Sequence, residues 1–551
     1  MSRGQAAPPP ELGIAGFSFA DLFSPYGLRR LYDAWLADPK AADPALCERY
    51  VELREGRSPA QEDAEALSTL LVDVAPTVSR FLIRLFPQVG PQLGDIAART
   101  AEDLAIFRFK DELVKRRALK RKLAPEAHAQ ATAAGEEVLS RHGVLGGQQD
   151  DELCVAKVGV RLLDREAEIK KRVADLEDPE FVAAAAEVDA LCDWVLARRE
   201  ELSKHHWLSV HFPHMLDYQN LVPLRRPDPK MPEMFVGLRH KVRERDGFKL
   251  TDRRAGPREV LDQVDYCMYC HDRDKDSCSK GMRDKTGALK QNPLGIPLAG
   301  CPLHEKISEM HVMRRRGDSL ASLALVTLDN PMCPGTGHRI CNDCMKGCIY
   351  QKQEPVNIPQ IETSVLTDVL KLPFGPEIYG LLTRWNPLNV RRPYPLPYCG
   401  RNVLVVGLGP AGYTLVHHLL REGFGVVAVD GLKLEPPPQP LVGDLLHGIQ
   451  PQPIRSWHDL ERELDERVLA GFGGVSEYGI TVRWDKNFLT LLYVTIARNP
   501  HVRFYGGVRL GGTMTLEDAW QYGIDHVAIA VGAGKPTLID IENNLCRGLR
   551  K

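Results

Sequence analysis

The chain has 551 residues, of which 44% are apolar and 26% charged, and its formal net charge is -2. That length suits about three domains of ordinary size. The balanced charge excludes a global electrostatic pull toward nucleic acid or an anionic membrane surface. The start, MSRGQAAPPPELGIAG, lacks the apolar stretch of a secretory signal, and no run reaches the ~20 apolar residues of a membrane span. The expected location is the cytoplasm, where structural disulfides are rare.

Residues 1–204 predict a helical N-terminal region to which no chemistry attaches. Leu67, Leu70, Leu71, Val74, Val78, Phe81, Leu82 and Leu85 recur at three- and four-residue steps, the stripe of an amphipathic helix. Pro76 is expected to kink it. A charged helix is predicted over Ala101–Lys122, ending in KRRALKRK. An RNA or an acidic partner could use such a run, but a solvated helix end favoured by the macrodipole is the plainer reading. The helical pattern continues through Glu136–Ser140 and Arg165–Arg199. Cys47, Cys154 and Cys192 are scattered through it and read as small buried apolar residues.

Residues 205–395 carry the chemistry. His205–Asp252, rich in Pro, His and Arg, predicts an irregular connection. Of the thirteen cysteines, eight then fall between Cys267 and Cys348. Their order is Cys267-x2-Cys270-x7-Cys278, Cys301-Pro302, Cys333, and Cys341-x2-Cys344-x3-Cys348. In a reducing compartment such a cluster points to metal or redox work. Three metals compete. Cys267-Met-Tyr-Cys270-His271 is a CxxCH, the covalent haem pattern. Cys267, Cys270, Cys341 and Cys344 could form a tetrahedral zinc site, which leaves Cys278, Cys301 and Cys348 without a role. Iron–sulfur clusters use more of the thiols, because ligands two or three residues apart reach adjacent irons. A short helix over Asp318–Leu328, stopped by Asn330-Pro331, lies among them. RRPYPLPYCG (Arg391–Gly400) reads as a linker. Cys399 and Cys546 stand alone.

Residues 396–551 change pattern to strand–glycine–helix. An apolar strand runs into Gly407-Leu-Gly409-Pro410-Ala411-Gly412, and a helix is predicted over Tyr413–Glu422. A second strand, Gly425–Val429, ends in Asp430. This is the context a dinucleotide loop needs: glycines let the backbone approach a pyrophosphate at a helix N-terminus. Asp430 is placed to bind a ribose hydroxyl, and Pro410-Ala411 favours a flavin over NAD. The stretch between Asp430 and Gly473, with its EPPPQP, is expected to be an exposed loop or lid.

The stretches CPLHEKI, GDSLASLALVTLDNPM and GHRICNDCMKGCIYQKQEPVNIPQIETSVLTDVL resemble the iron–sulfur domain of the glutamate synthase small (beta) subunit. The same domain opens dihydropyrimidine dehydrogenase and the flavin subunits of NADPH:ferredoxin transhydrogenases. GGVSEYGI (Gly473–Ile480), followed by Asp485-Lys486, and DHVAIAVGAGKP (Asp525–Pro536) resemble that family's flavin segments. The resemblance covers Tyr266–Pro536, about half the chain. It implies FAD and two [4Fe–4S] clusters with interleaved ligands. Cys267, Cys270, Cys278 and Cys348 would hold one cluster; Cys301, Cys341, Cys344 and Glu362 would hold the other. FAD would contact Gly407, Gly409, Pro410, Ala411, Gly412, Asp430, Gly474, Gly532 and Ala533.

Two features depart from the family pattern: the wide Cys270–Cys278 gap, and the 22 residues of Ser279–Gly300 where the family has a few. Cys333 has no counterpart there. The implied fold class is multidomain α plus α/β: a helical N-terminal region, an α-helical iron–sulfur domain and a Rossmann-like FAD-binding domain that is incomplete. No second GxGxxG follows, so NAD(P)H is expected on a further segment or a partner. The implied function is an FAD-dependent NAD(P)H oxidoreductase of the pyridine nucleotide-disulfide class. It would pass electrons through two clusters to an acceptor subunit or domain, an arrangement that allows a hetero-oligomer. The alternative is a non-enzymatic, zinc-stabilised scaffold with a vestigial Rossmann half.

Overall fold

The computed structural model describes residues 10–57, 63–144, 150–173, 175–222, 224–238, 250, 253–273, 275–338, 340–464, 471–474, 476 and 485–532. The N-terminal helices are α1 (Pro25–Ala42), α2 (Pro44–Arg54) and α3 (Ala64–Leu85). Each starts where an acceptor side chain caps free backbone N–H groups: Ser24 accepts from Gly27, Asp43 from Leu46, and Asp63 from Glu65 and Ala66. The predicted stripe of α3 is buried from Leu70 to Leu85, Leu67 being half-buried. Helical assignment continues through Pro76. By length and composition α3 is the one helix among the described residues able to cross a membrane, yet more than half of it is buried inside the protein.

The charged helix departs from its expected bounds. It begins earlier, as α4 (Gly90–Arg108), and then widens into a π-helical turn over Phe109–Lys115, followed by a 3₁₀ turn at Ala118–Lys120. Phe109, Leu113, Val114 and Ala118 are all buried. Their spacing exceeds the α-helical period, and a widened turn lets all four face one core. The run Arg165–Arg199 is likewise two helices, α6 (Asp151–Arg172) and α7 (Pro179–Lys204), after α5 (His128–Arg141). Asp178 caps α7 and Pro179 opens it, a start signal inside what periodicity reads as continuous. Cys47 and Cys192 are buried as expected, but Cys154, in the first turn of α6, is only half-buried.

The buried residues of these first two hundred fall into two cores. Trp35, Leu70, Val78 and Phe81 share one with the cysteine-bearing region. Ile106, Phe109, Val155, Leu191 and Trp194 form a second. The described part of His205–Asp252 holds a 3₁₀ turn and a short antiparallel ribbon, β1 (Leu224–Arg225) with β2 (Val236–Gly237).

The cysteine-bearing region is helical: α8 (Pro257–Tyr266), α9 (Ser277–Lys280), α10 (Ile307–Arg315), α11 (Ser319–Asp329), α12 (Asp343–Gly347), α13 (Ile358–Leu370) and α14 (Gly375–Arg384). Helix α11 is the predicted short helix, capped by Asp318, whose carboxylate accepts from Ala321 N–H. It is buried from Ser319 to Thr327 and packs on α3, α10, α13 and α14.

The last region is α/β. Strands β3 (Asn402–Val406), β4 (Gly425–Asp430), β5 (Val502–Gly506) and β6 (His526–Ile529) form a parallel sheet in the order β5-β4-β3-β6. That is the third–second–first–fourth order of a mononucleotide-binding half. Helix α15 (Pro410–Arg421) crosses from β3 to β4, starting three residues earlier than predicted. EPPPQP is largely exposed, and the chain then returns to bury Ile454, Trp457 and Leu460.

Candidate functional site

Cys267 ends α8, and the next residues turn back over it. Tyr269 adopts a left-handed backbone, φ 48°, and its N–H donates to Cys267 Sγ at 3.4 Å. Cys270 opens a 3₁₀ turn, Cys278 lies in α9, and Cys348 follows α12. These four are brought together. Burial pushes the Cys267 thiol up to about 12, and the charges of Cys270, Cys348 and Asp276 add to the shift. Burial pushes Cys278 well above an ordinary thiol, with Asp276, Cys267, Cys348 and Cys270 contributing. Tyr266 and Tyr350, the flanks of Cys267 and Cys348, stack at 4.2 Å, and Tyr350 donates to the Tyr266 carbonyl at 3.0 Å.

The long insertion does not pull the cysteines apart. Cys301 N–H donates to the Cys278 carbonyl at 2.8 Å, so the two ends of Ser279–Gly300 meet. Between them the chain folds on itself: Met282 N–H donates to Leu298 O at 2.8 Å, and Lys290 N–H to Met282 O at 2.9 Å. Glycines permit the close approach. A Cβ on Gly300 would lie 2.5 Å from Gly281 N, and one on Gly347 would lie 2.8 Å from Gly300 Cα. This contact ties the Cys278, Cys301 and Cys344–Cys348 segments into one knot.

A second group forms around Glu362 of α13. Burial pushes this carboxyl well above the usual range, reinforced by the charge of Glu305 and a hydrogen bond with it. Glu362 Oε1 is buried with no hydrogen-bond partner, an arrangement that costs free energy unless something is bound there. Cys344 is pushed up by burial, then by Glu362, Glu305, Cys301 and Cys341. Cys301 rises to about 12, and Cys341 is raised, by burial and by neighbouring carboxylates. Two members were not singled out from the sequence. Glu305, raised to about 7 chiefly by burial, has no spacing signal. Cys333, wholly buried, feels Glu362 and Glu305 although the family pattern has no place for it.

The eight residues therefore lie in two sets, Cys267, Cys270, Cys278 and Cys348 in one, Cys301, Cys341, Cys344 and Glu362 in the other. The pairs of the zinc reading, Cys267–Cys270 and Cys341–Cys344, fall in different sets. Among the described residues no three His, Cys, Asp or Glu side chains converge tightly enough for a single metal ion. A four-iron cube spreads its ligands farther apart than one ion does. Buried thiols with raised proton affinity and an orphaned carboxylate oxygen fit a cationic group that would take thiolate and carboxylate ligands.

The glycine loop joins β3 to α15. Gly407 has φ 102°, and a Cβ there would lie 2.4 Å from Ala530 O; one on Gly412 would lie 1.8 Å from Gly407 O. Both glycines are demanded by packing. Gly409 differs: the nearest atom to an added Cβ is Gly474 Cα at 3.8 Å. It caps α15 and faces a cleft of about 680 Å³, within the usual range for a cofactor site. Pro410, Ala411, Asp430, Gly474, Val508, Val531 and Gly532 also line the cleft. Asp430 accepts from Leu408 N–H at 2.8 Å and Leu432 N–H at 2.9 Å, one at each oxygen. It thus braces the loop, with lone pairs left for a ligand. Ala533 and most of the GGVSEYGI stretch lie outside the described residues.

A family model described as the RP005 N-terminal alpha-helical domain matches residues 12–87, which span α1 to α3. The uncharacterized protein RP006 of Rickettsia prowazekii is 52% identical over 219 residues, 40% of this chain and 30% of that protein. The uncharacterized protein RP005 of the same organism is 39% identical over 84 residues, 14% of this chain and 28% of that protein. The glutamate synthase [NADPH] small chain of Mycobacterium tuberculosis is 28% identical over 176 residues, 31% of each chain. In each case the match spans under a third of the relative's length. The chain thus has distant similarity to an oxidoreductase subunit.

Proposed function

We propose that the chain is an electron-transfer oxidoreductase module that binds FAD in the glycine-loop cleft and two [4Fe–4S] clusters in the cysteine region. The observation that carries this reading is the sorting of eight dispersed ligand-type residues into two sets of four, five of them buried and Cys267, Cys341 and Cys344 half-buried. The distant similarity to a glutamate synthase small chain supports it. Bound there, the flavin would convert between two- and one-electron chemistry and the clusters would store single electrons.

The chain's own residues supply position and environment. Gly409 leaves the backbone open at the N-terminus of α15, where N–H groups favour a pyrophosphate. Asp430 holds the loop through Leu408 and has lone pairs for a ribose hydroxyl. The Cys thiols and Glu362 give up their protons on ligation, which relieves the cost that burial places on their charged forms. Tyr266 and Tyr350 stack on each other close to Cys348 of the first set. The hydride donor would be NAD(P)H, and the electron acceptor another subunit or domain.

Anaerobically purified protein should show a broad absorption shoulder near ~400 nm that bleaches with dithionite, with about eight irons and eight sulfides per chain. Protein that holds one zinc and no flavin would overturn the reading.

A further inference from the structure

At the other end of α15, away from the glycine loop, lies a small cavity of about 90 Å³. Three regions meet there. Phe23, Pro25 and Leu28 come from the N-terminal helices, Thr383 and Arg384 from α14, and His417, Arg421 and Arg498 from the α/β region. Three arginines and two histidines line it, His501 being the second, and no Asp or Glu does. A buried cation ordinarily has a carboxylate partner.

Arg498 has one: it donates to Glu377 Oε2 at 2.6 Å, and its remaining nitrogens donate to Leu441 O and Gln452 O. The other two arginines do not. Arg384 donates to Leu22 O at 2.8 Å and Gly380 O at 2.6 Å, and Arg421 donates to Arg392 O. These are neutral carbonyls. Among the described residues neither guanidinium is within ion-pair reach of a carboxylate. The nearby Glu422 is taken by Arg392 at 3.0 Å. His417 is buried, and its Nε2 has no hydrogen-bond partner.

Both arginines stand in the last turns of their helices, where the macrodipole favours a cation. That effect is smaller than the cost of desolvating a guanidinium. Burial lowers Arg384 to about 9 against the opposing charge of Glu377, with a push from Arg498, and Arg421 to about 10 against that of Glu422, with a push from Arg392, so the distant carboxylates do not offset the desolvation.

We propose that this cavity is a binding site for a small inorganic oxyanion of the phosphate or sulfate type. The anion would accept from Arg384, Arg421 and His417 Nε2. Two planar donor forks suit a tetrahedral oxyanion, and the volume admits a compact ion but not a nucleotide. Bound there, the anion would join α14 to α15 and so fasten the helical region to the α/β region.

The test is calorimetric titration of the full chain with inorganic phosphate at constant ionic strength, with sulfate, acetate and chloride as separate arms. One saturable phosphate site per chain is expected, with sulfate competing and acetate and chloride at least tenfold weaker. Arg421→Gln should weaken phosphate binding more than tenfold and His417→Gln a few-fold, while Arg172→Gln, whose side chain pairs with Glu180 far from the cavity residues, should leave it unchanged. Should Arg421→Gln fail to fold, Arg421→Lys, which keeps the charge but loses the fork, should weaken binding severalfold. Iron and flavin content should be the same in all variants, so this result is separable from the redox reading. No saturable heat, equal binding of chloride, or binding unaffected by His417→Gln together with either Arg421 variant would overturn the proposal.

Discussion

The glycine-loop region and the cysteine region present chemical groups in opposite ways. The loop's cradle comes from one contiguous strand–turn–helix, closed by Ala530 and Gly474 against Gly407 and Gly409. Each cysteine set draws on segments far apart in sequence, joined by a knot of glycines and by the Cys301–Cys278 backbone hydrogen bond. Damage should therefore spread differently. A change in the loop acts on one local turn. Loss of one ligand in the cysteine region acts on its own set, whereas a change in the shared knot, which joins Cys278 to Cys301, acts on both.

The largest effect is expected from Gly412→Val. Its side chain would enter the space of Gly407 O, 1.8 Å from the ideal Cβ, and overpacking at a fixed backbone typically costs at least ~1–3 kcal/mol. Thermal melting should show a weakened α/β region without flavin. Gly409→Ala is the sharper partner experiment: with 3.8 Å of clearance the fold should survive, while flavin retention falls. Equal behaviour of the two variants would break the distinction between a packing glycine and a ligand glycine.

Next in size is Cys344→Ser. Iron analysis should show a loss of about half, with the first set still loaded. Complete loss would mean that the two sets do not act separately.

A pH effect follows from His311, which is fully buried in α10 and feels the charge of His271. Both its ring nitrogens lack partners, and burial lowers its pKa to about 3, with His271 adding to the shift. The unfolded chain binds a proton there below about 6.5 and the native chain does not, so stability falls as pH drops from about 6.5 toward 3. The slope is about 1.4 kcal/mol per pH unit. His311→Leu should remove that contribution, narrowing the gap between melts at pH 5 and pH 8. An unchanged gap would mean that the imidazole titrates normally in the folded protein.

The smallest effect is expected from excising residues 283–297 and bridging Met282 to Leu298 with two glycines. These ends already pair at 2.8 Å, and loop length carries little entropy. Iron content should be unchanged and stability should shift by less than about 1 kcal/mol. Loss of both sets of iron would show that the insertion supports the knot rather than decorating it.

The strand–glycine–helix, its ending in Asp430, the capped helix after Asp318 and the stripe on α3 were all legible in the sequence. Each is a local pattern whose periodicity or cap is enforced by nearest neighbours. The break at Asp178-Pro179 was legible too, as a cap and a first-turn proline, although periodicity alone ran through it. The π-helical turn at Phe109–Lys115 was not, because it answers to where the second core lies. Neither were Glu305 and Cys333, which reach Glu362 only through packing.

By itself the sequence determined which residue types stand where: the thiols, the carboxylate after VNIPQI, and the glycines of the loop. Only the tertiary structure decided that the thiols fall into two sets, that a 22-residue insertion closes on itself between two of them, and that Arg384 and Arg421 share a cavity without a carboxylate. The reason is physical. Spacing along the chain governs contacts within a few residues, whereas burial and charge pairing depend on which distant segments the cores bring together.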